Sequence, residues 1–213
     1  MTKDFVLGVP FYRFYYDENK VDSILQSLKQ LKYRRNDTNW IWDGVKEDGL
    51  TGSDLYKLPQ FKDLFEWMDK CLEEVAKDMR LTSKLVICTA WSNLNTPGDY
   101  FYPHTHANCF VGCNYYASGH SNDKTVWMTE NPYFHGTNIR PCGNWYDEDA
   151  QKTYFLVHEE PTEPGKFVVF PPMVIHHATP NTSKEDRITI SANAFPTGII
   201  NAGSASRLHV EVL

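Results

Sequence analysis

A chain of 213 residues, 41% of them apolar and 14% aromatic, is long enough to bury one substantial core. Its 21 Lys and Arg stand against 27 Asp and Glu, a formal net charge of −6, which argues against a general nucleic-acid binder or a membrane-surface protein. No run approaches the length of a membrane helix, and the opening "MTKDFVLGVPFYRFYY" is broken by Pro10 and lacks the small-residue cleavage site of a signal peptide.

Residues 4–16 read as an extended segment or strand pair with alternating aromatics. Asp17 offers an N-cap before "ENKVDSILQSLKQLKYRR", in which Val21, Ile24, Leu25, Leu28 and Leu31 form one apolar stripe at helical spacing. Residues 35–57 look like loop, with "NDTNWIWDG" and "EDGLTGSD" rich in turn formers. Within them, Trp40 and Trp42 are assigned to core packing. A second helix is expected from about Pro59 to Met79, burying Phe61, Leu64, Phe65, Met68, Leu72, Val75 and Met79.

From residue 84 the texture changes to short strands separated by turn signals. In order they are "SKLVICTAWSNLN", "ANCFVGCNYYAS", "KTVWMTE", "KTYFLVHE", "GKFVVFPP", "MVIHHATP" and "DRITISANAF". Residues 130–152 form a long segment whose Tyr133, Phe134, Trp145 and Tyr146 favour an ordered lid. Two helices backing one face of a jelly roll would satisfy both apolar stripes. The expected organisation is a single domain over 1–213, with a helical elaboration (1–83), a jelly-roll core (84–195) and a C-terminal extension (196–213). The cysteines at 71, 88, 109, 113 and 142 are odd in number and irregularly spaced, so reduced thiols in a cytoplasmic protein are expected.

Two stretches carry chemistry. In "YPHTHANCFVGCNYYAS", His104 and His106 are two apart, so an extended strand would aim both rings to one face, as metal ligands or as wet surface groups. In "FPPMVIHHATPN", His176 and His177 face opposite ways along a strand, and periodicity does not choose between them. Arg187, Thr189 and Ser191 share one face of "DRITIS" with Ile188 and Ile190 on the other. An Arg there needs a partner: a structural acid or a bound carboxylate. The lone histidines 120, 135, 158 and 209 read as solvated or hydrogen-bonded groups.

The ordered motifs resemble the non-haem iron(II)/2-oxoglutarate-dependent oxygenases, in particular the small oxygenases of bacteria and marine viruses. They are "WSNLN" at 91–95, "HTHAN" at 104–108, "NYY" at 114–116, "GKFVVFPPMVIH" at 165–176 and "EDRITISAN" at 185–193. The resemblance spans roughly 89–195. It implies a double-stranded β-helix (jelly roll, cupin-like) backed by two N-terminal helices. It implies iron(II) held by His104, His106 and His176, with no catalytic residue beyond the metal ligands. Arg187 would grip 2-oxoglutarate, with Thr189, Tyr116 and Asn114 beside it. His177, Asn193 and Trp91 are candidates for supporting or substrate contacts.

The implied reaction uses dioxygen to hydroxylate a small molecule or peptide side chain, releasing succinate and CO2. His106 departs from the usual two-His-one-carboxylate set, so Asp99, Asp123 or Glu130 stands as an alternative second ligand. Two other readings compete. One is a three-histidine cupin-like dioxygenase or isomerase without 2-oxoglutarate, which leaves Arg187 no anion. The other is a non-catalytic jelly-roll binding module.

Overall fold

The structure is a computed structural model that describes residues 1–45, 48–120, 122–130 and 155–212. The expected 130–152 lid, with His135 and Cys142, therefore lies almost wholly outside the described residues. Two sheets face one another. The larger one runs β1 (Thr2–Val6), β2 (Val9–Tyr15), β10 (Lys166–Phe170), β7 (Val111–Tyr116), β12 (Arg187–Ile200), β5 (Lys84–Asn95), β4 (Asn39–Trp42) and β3 (Tyr33–Asn36), and β13 (Leu208–Val210) also pairs with β12. The smaller one runs β6 (Phe101–His104), β11 (Ile175–Ala178), β8 (Lys124–Glu130) and β9 (Phe155–Pro161). All these pairings are antiparallel. This is the double-stranded β-helix expected from the motifs.

The helices α1 (Glu18–Lys29) and α2 (Lys62–Asp78) cover the outer face of the larger sheet. Asp17 caps α1 by accepting from the Asn19 N–H. A 3-10 turn at Pro59–Phe61 leads into α2. Ile24 and Leu28 of α1 and Leu64, Met68, Leu72 and Val75 of α2 meet one face of the strands in a single cluster. That face consists of Ile188, Ile190, Ala192, Cys113, Tyr115, Phe167 and Val169. Each large apolar side chain fully buried there contributes roughly 1.5–3 kcal/mol.

Because side chains alternate along a strand, the intervening residues of the same strands point between the sheets. Toward one end that interior is apolar, with Phe11, Trp127, Val168, Phe170 and Val174 packed together. Toward the other end it is polar, and the candidate site lies there.

The N-terminal third is more than a helical elaboration. β1 and β2 form a hairpin across Leu7 and Gly8, both at positive φ, the geometry of a two-residue primed turn. This pair extends the larger sheet from β10. The supposed loop at 35–57 contains β4, which pairs with β5 and buries Trp42 in the core. The turn-forming residues there mark only the connections: Asp37, at positive φ, turns β3 into β4. Arg13 on β2, Glu160 on β9 and Lys166 on β10 form a buried ion cluster that ties the two sheets together, with contacts of 2.6 Å and 2.9 Å to Glu160. Burial pushes the Glu160 carboxyl up, but Arg13 and Lys166 outweigh it and hold it at about 2. Cys71, Cys88, Cys109 and Cys113 are free thiols.

Candidate metal and keto-acid site

β6 ends at His104, which lies opposite His176 of β11 in the strand register. His106 lies beyond the strand end, so strand alternation alone does not bring it in. Its backbone N–H donates to Pro172 O at 2.9 Å. Its ring rests between Trp91 at 5.7 Å and Phe170 at 5.4 Å. Gly112 leaves the space for this, since a Cβ there would meet the Phe170 ring at 2.6 Å and His106 Nδ1 at 3.3 Å. A nitrogen from each of His104, His106 and His176 lies within 4.8 Å of the other two. Among the described residues no carboxylate joins them. Asp99 is occupied by Arg35 and Thr96, and Asp123 sits beside Arg187. Asp99 and Asp123, two of the three alternative second ligands, are thus engaged elsewhere.

All three rings have Nδ1 against an oxygen: Tyr102 O at 2.9 Å for His104, Asn193 Oδ1 at 2.6 Å for His106 and Val174 O at 3.1 Å for His176. A carbonyl oxygen can only accept, so each Nδ1 carries the proton and each Nε2 presents a lone pair. Burial lowers the pKa of all three imidazoles, His176 most. Neutral rings with fixed tautomers suit a divalent cation of intermediate softness. Trp127 stacks on His176 at 4.8 Å and holds the third ring in place.

Next to this cluster is a cavity of about 150 Å³, a volume that accommodates a benzene-sized guest. Its wall includes Arg187, Thr189, Tyr116 and Asn114, as the motifs imply, together with Trp91 and His177. His177 is absent from the three-ring cluster. Arg187 is 1% exposed. Its Nη2 donates to Thr179 O at 2.7 Å, while Nη1 lies 3.4 Å from Asp123 Oδ1 without making a hydrogen bond. Burial lowers its pKa and the Asp123 charge opposes that. Arg187 thus has an internal acid nearby and also lines the cavity. Tyr116, whose pKa burial pushes up, keeps its proton and donates to Thr125 Oγ1 at 2.9 Å.

The sequence reading missed a polar relay across the larger sheet. Asn39 donates to Asn93 Oδ1 at 3.4 Å, Asn93 to Ser191 Oγ at 3.1 Å, and Ser191 to Asn114 Oδ1 at 3.0 Å. The relay occupies the Asn114 carbonyl and so turns its NH2 into the available donor. Alternation on β5 carries the signal: Trp91, Asn93 and Asn95 fall on one face, opposite Ala90 and Leu94.

A jelly roll with three imidazoles grouped at its interior, beside a buried guanidinium, defines a class of metal-dependent enzyme fold. A family model described as "Putative 2OG-Fe(II) oxygenase" matches residues 89–193. On that match and the shared fold the chain is an oxygenase of the iron(II)/2-oxoglutarate type. No curated protein matches it in sequence.

Solved structures share the fold. The epimerase SnoN from nogalamycin biosynthesis has a TM-score of 0.62 at 13% identity, covering 95% of this chain and 87% of its own. HygX from Streptomyces hygroscopicus, with nickel, 2-oxoglutarate and hygromycin B bound, gives 0.58 at 14% identity, covering 88% and 83%. A Pseudomonas putida prolyl-4-hydroxylase gives 0.57 at 12% identity, covering 87% and 92%. Among the described residues no helix is long and apolar enough to cross a membrane.

Proposed function

We propose that His104, His106 and His176 hold iron(II) and that Arg187, Thr189, Tyr116 and Asn114 receive 2-oxoglutarate, for hydroxylation of a small molecule or a peptide side chain. The observation that carries this is a cluster of three imidazole nitrogens, two of its rings lining the same cavity as a buried, incompletely satisfied guanidinium. Bound together, iron(II) and the keto acid supply the oxidising power: the keto acid leaves as succinate and CO2 while oxygen from O2 enters the substrate.

The chain's own residues orient and compensate. Three neutral imidazoles bring no negative charge to a divalent ion, so the dianionic keto acid supplies the balance. Arg187 holds the distal carboxylate, and the relay from Asn39 keeps the Asn114 amide turned as a donor. Trp91, Trp127 and Phe170 keep water from the imidazoles. His177 and Trp91 also line the cavity, where a substrate would approach.

HygX binds hygromycin B, and another structural relative is a prolyl-4-hydroxylase. They support the pairing of small-molecule and peptide substrates as the class to screen. Free thiols and an acidic surface suit a cytoplasmic enzyme that does not bind nucleic acid in general.

The test is anaerobic addition of iron(II) and 2-oxoglutarate, read by the visible charge-transfer band of the chelate. The band should appear, and Arg187→Ala should weaken 2-oxoglutarate binding while metal binding persists. Metal uptake without the band would favour the cupin-like reading. No metal uptake would leave the binding module.

A further inference from the structure

We infer that Asn95 is a specificity-determining residue, its side-chain amide donating to the distal carboxylate of the keto acid alongside Arg187. This rests on the keto-acid site proposed above. Asn95 is the last residue of β5 and pairs directly with Arg187, the first residue of β12. Cross-strand partners share a face and stand side by side, and both side chains line the same cavity.

Asn95 is 3% exposed, and among the described residues its Nδ2 has no hydrogen-bond partner. Its backbone is fixed, because Asn181 Nδ2 donates to Asn95 O at 2.8 Å. Arg187 Nη1, the neighbouring buried donor, is likewise without a hydrogen bond. Buried polar groups in folded proteins are nearly always paired. Asp123 Oδ1 answers Arg187 Nη1 only at 3.4 Å and nothing among the described residues answers Asn95 Nδ2, so these neighbouring donors on one cavity point to an acceptor bound there.

Asp123 explains why the guanidinium alone is insufficient. Asp123 is 0% exposed and lies 3.4 Å from Arg187 Nη1, so its charge offsets that of the arginine. One N–H of Arg187 Nη2 is already committed to Thr179 O. Recognition of a carboxylate therefore falls on directed N–H groups more than on net charge. A carboxylate has two oxygens, and Arg187 Nη1 and Asn95 Nδ2 supply one donor for each.

The test compares two keto acids on the iron(II)-loaded protein without oxygen. They are 2-oxoglutarate and 2-oxopentanoate, which has a methyl group in place of the distal carboxylate. Dissociation constants come from the charge-transfer band, with thermal melting as the check on folding. Asn95→Ala should weaken 2-oxoglutarate by at least about tenfold, the loss of one hydrogen bond to a charged group, and leave 2-oxopentanoate unchanged. Asn95→Asp, which keeps the size of the side chain, should weaken 2-oxoglutarate further and again spare 2-oxopentanoate. Equal weakening of both acids, or of neither, overturns the assignment. A wild-type protein that binds iron but shows no band with 2-oxoglutarate overturns the underlying reading, and this one with it.

Discussion

Replacing Asn193 with Ala should weaken metal binding without unfolding the protein. His106 is the one ring of the three that no strand positions, since β6 stops at His104. What fixes its orientation is the 2.6 Å hydrogen bond from its Nδ1 to Asn193 Oδ1, together with packing against Trp91 and Phe170. Removing the acceptor frees the ring to rotate and to carry its proton on either nitrogen. Loss of such an orienting partner typically costs 10- to 100-fold in metal affinity, or roughly 1.4–2.7 kcal/mol at 1.36 kcal/mol per tenfold. Asn193 is only half-buried, so the cost to folding should stay near that of one hydrogen bond, about 1 kcal/mol. Anaerobic titration with iron(II) or cobalt(II), alongside thermal melting, measures both quantities. His106→Ala, which removes the ligand itself, sets the scale. Unchanged affinity in Asn193→Ala beside a large loss in His106→Ala would refute the orienting role.

Two further outcomes follow from the packing. Gly112→Ala should cost roughly 1–3 kcal/mol by overpacking and impair metal uptake as well, because the new methyl group would collide with Phe170 and crowd His106 Nδ1; denaturant melts and metal titration read the two effects. Glu160→Gln should destabilise the fold by roughly 3 kcal/mol at neutral pH, leaving the buried Arg13 and Lys166 with only the exposed carboxylates of Asp4 and Glu163 as charged partners. The folded carboxyl titrates at about 2, below its ordinary 4.5, so its contribution is complete above pH 4.5 and fades as pH falls toward 2. Melts across that range should show the wild-type and variant curves converging at the acid end, and a constant gap would contradict the assignment.

Much of the scaffold was legible in the chain because it depends on local periodicity. The alternation in "RITISAN" separated Ile188, Ile190 and Ala192 from Arg187, Thr189 and Ser191, and the structure turns the first set to the helices and the second to the interior. The stripe from Phe61 to Val75 gave α2 in the same way. Composition misled at 35–57, where Asn, Asp and Gly suggested loop. There β4 forms because Trp40 and Ile41 pair with Leu94 and Asn93 along the edge of β5 while Trp42 enters the core, contacts between residues far apart in sequence that turn-former counts do not register.

Choosing His176 over His177 was beyond periodicity, since a strand offers both faces equally. Register against His104 across the β6–β11 ladder decides it. The convergence of His106 depends on Pro172, Asn193 and the missing side chain of Gly112, each supplied by a different segment. The sequence by itself determined which residues share a face of each strand, because that follows from the two-residue repeat of an extended backbone. Only the tertiary structure decided which inward-facing groups meet, because register and sheet-to-sheet stacking are set by burial summed over the whole chain.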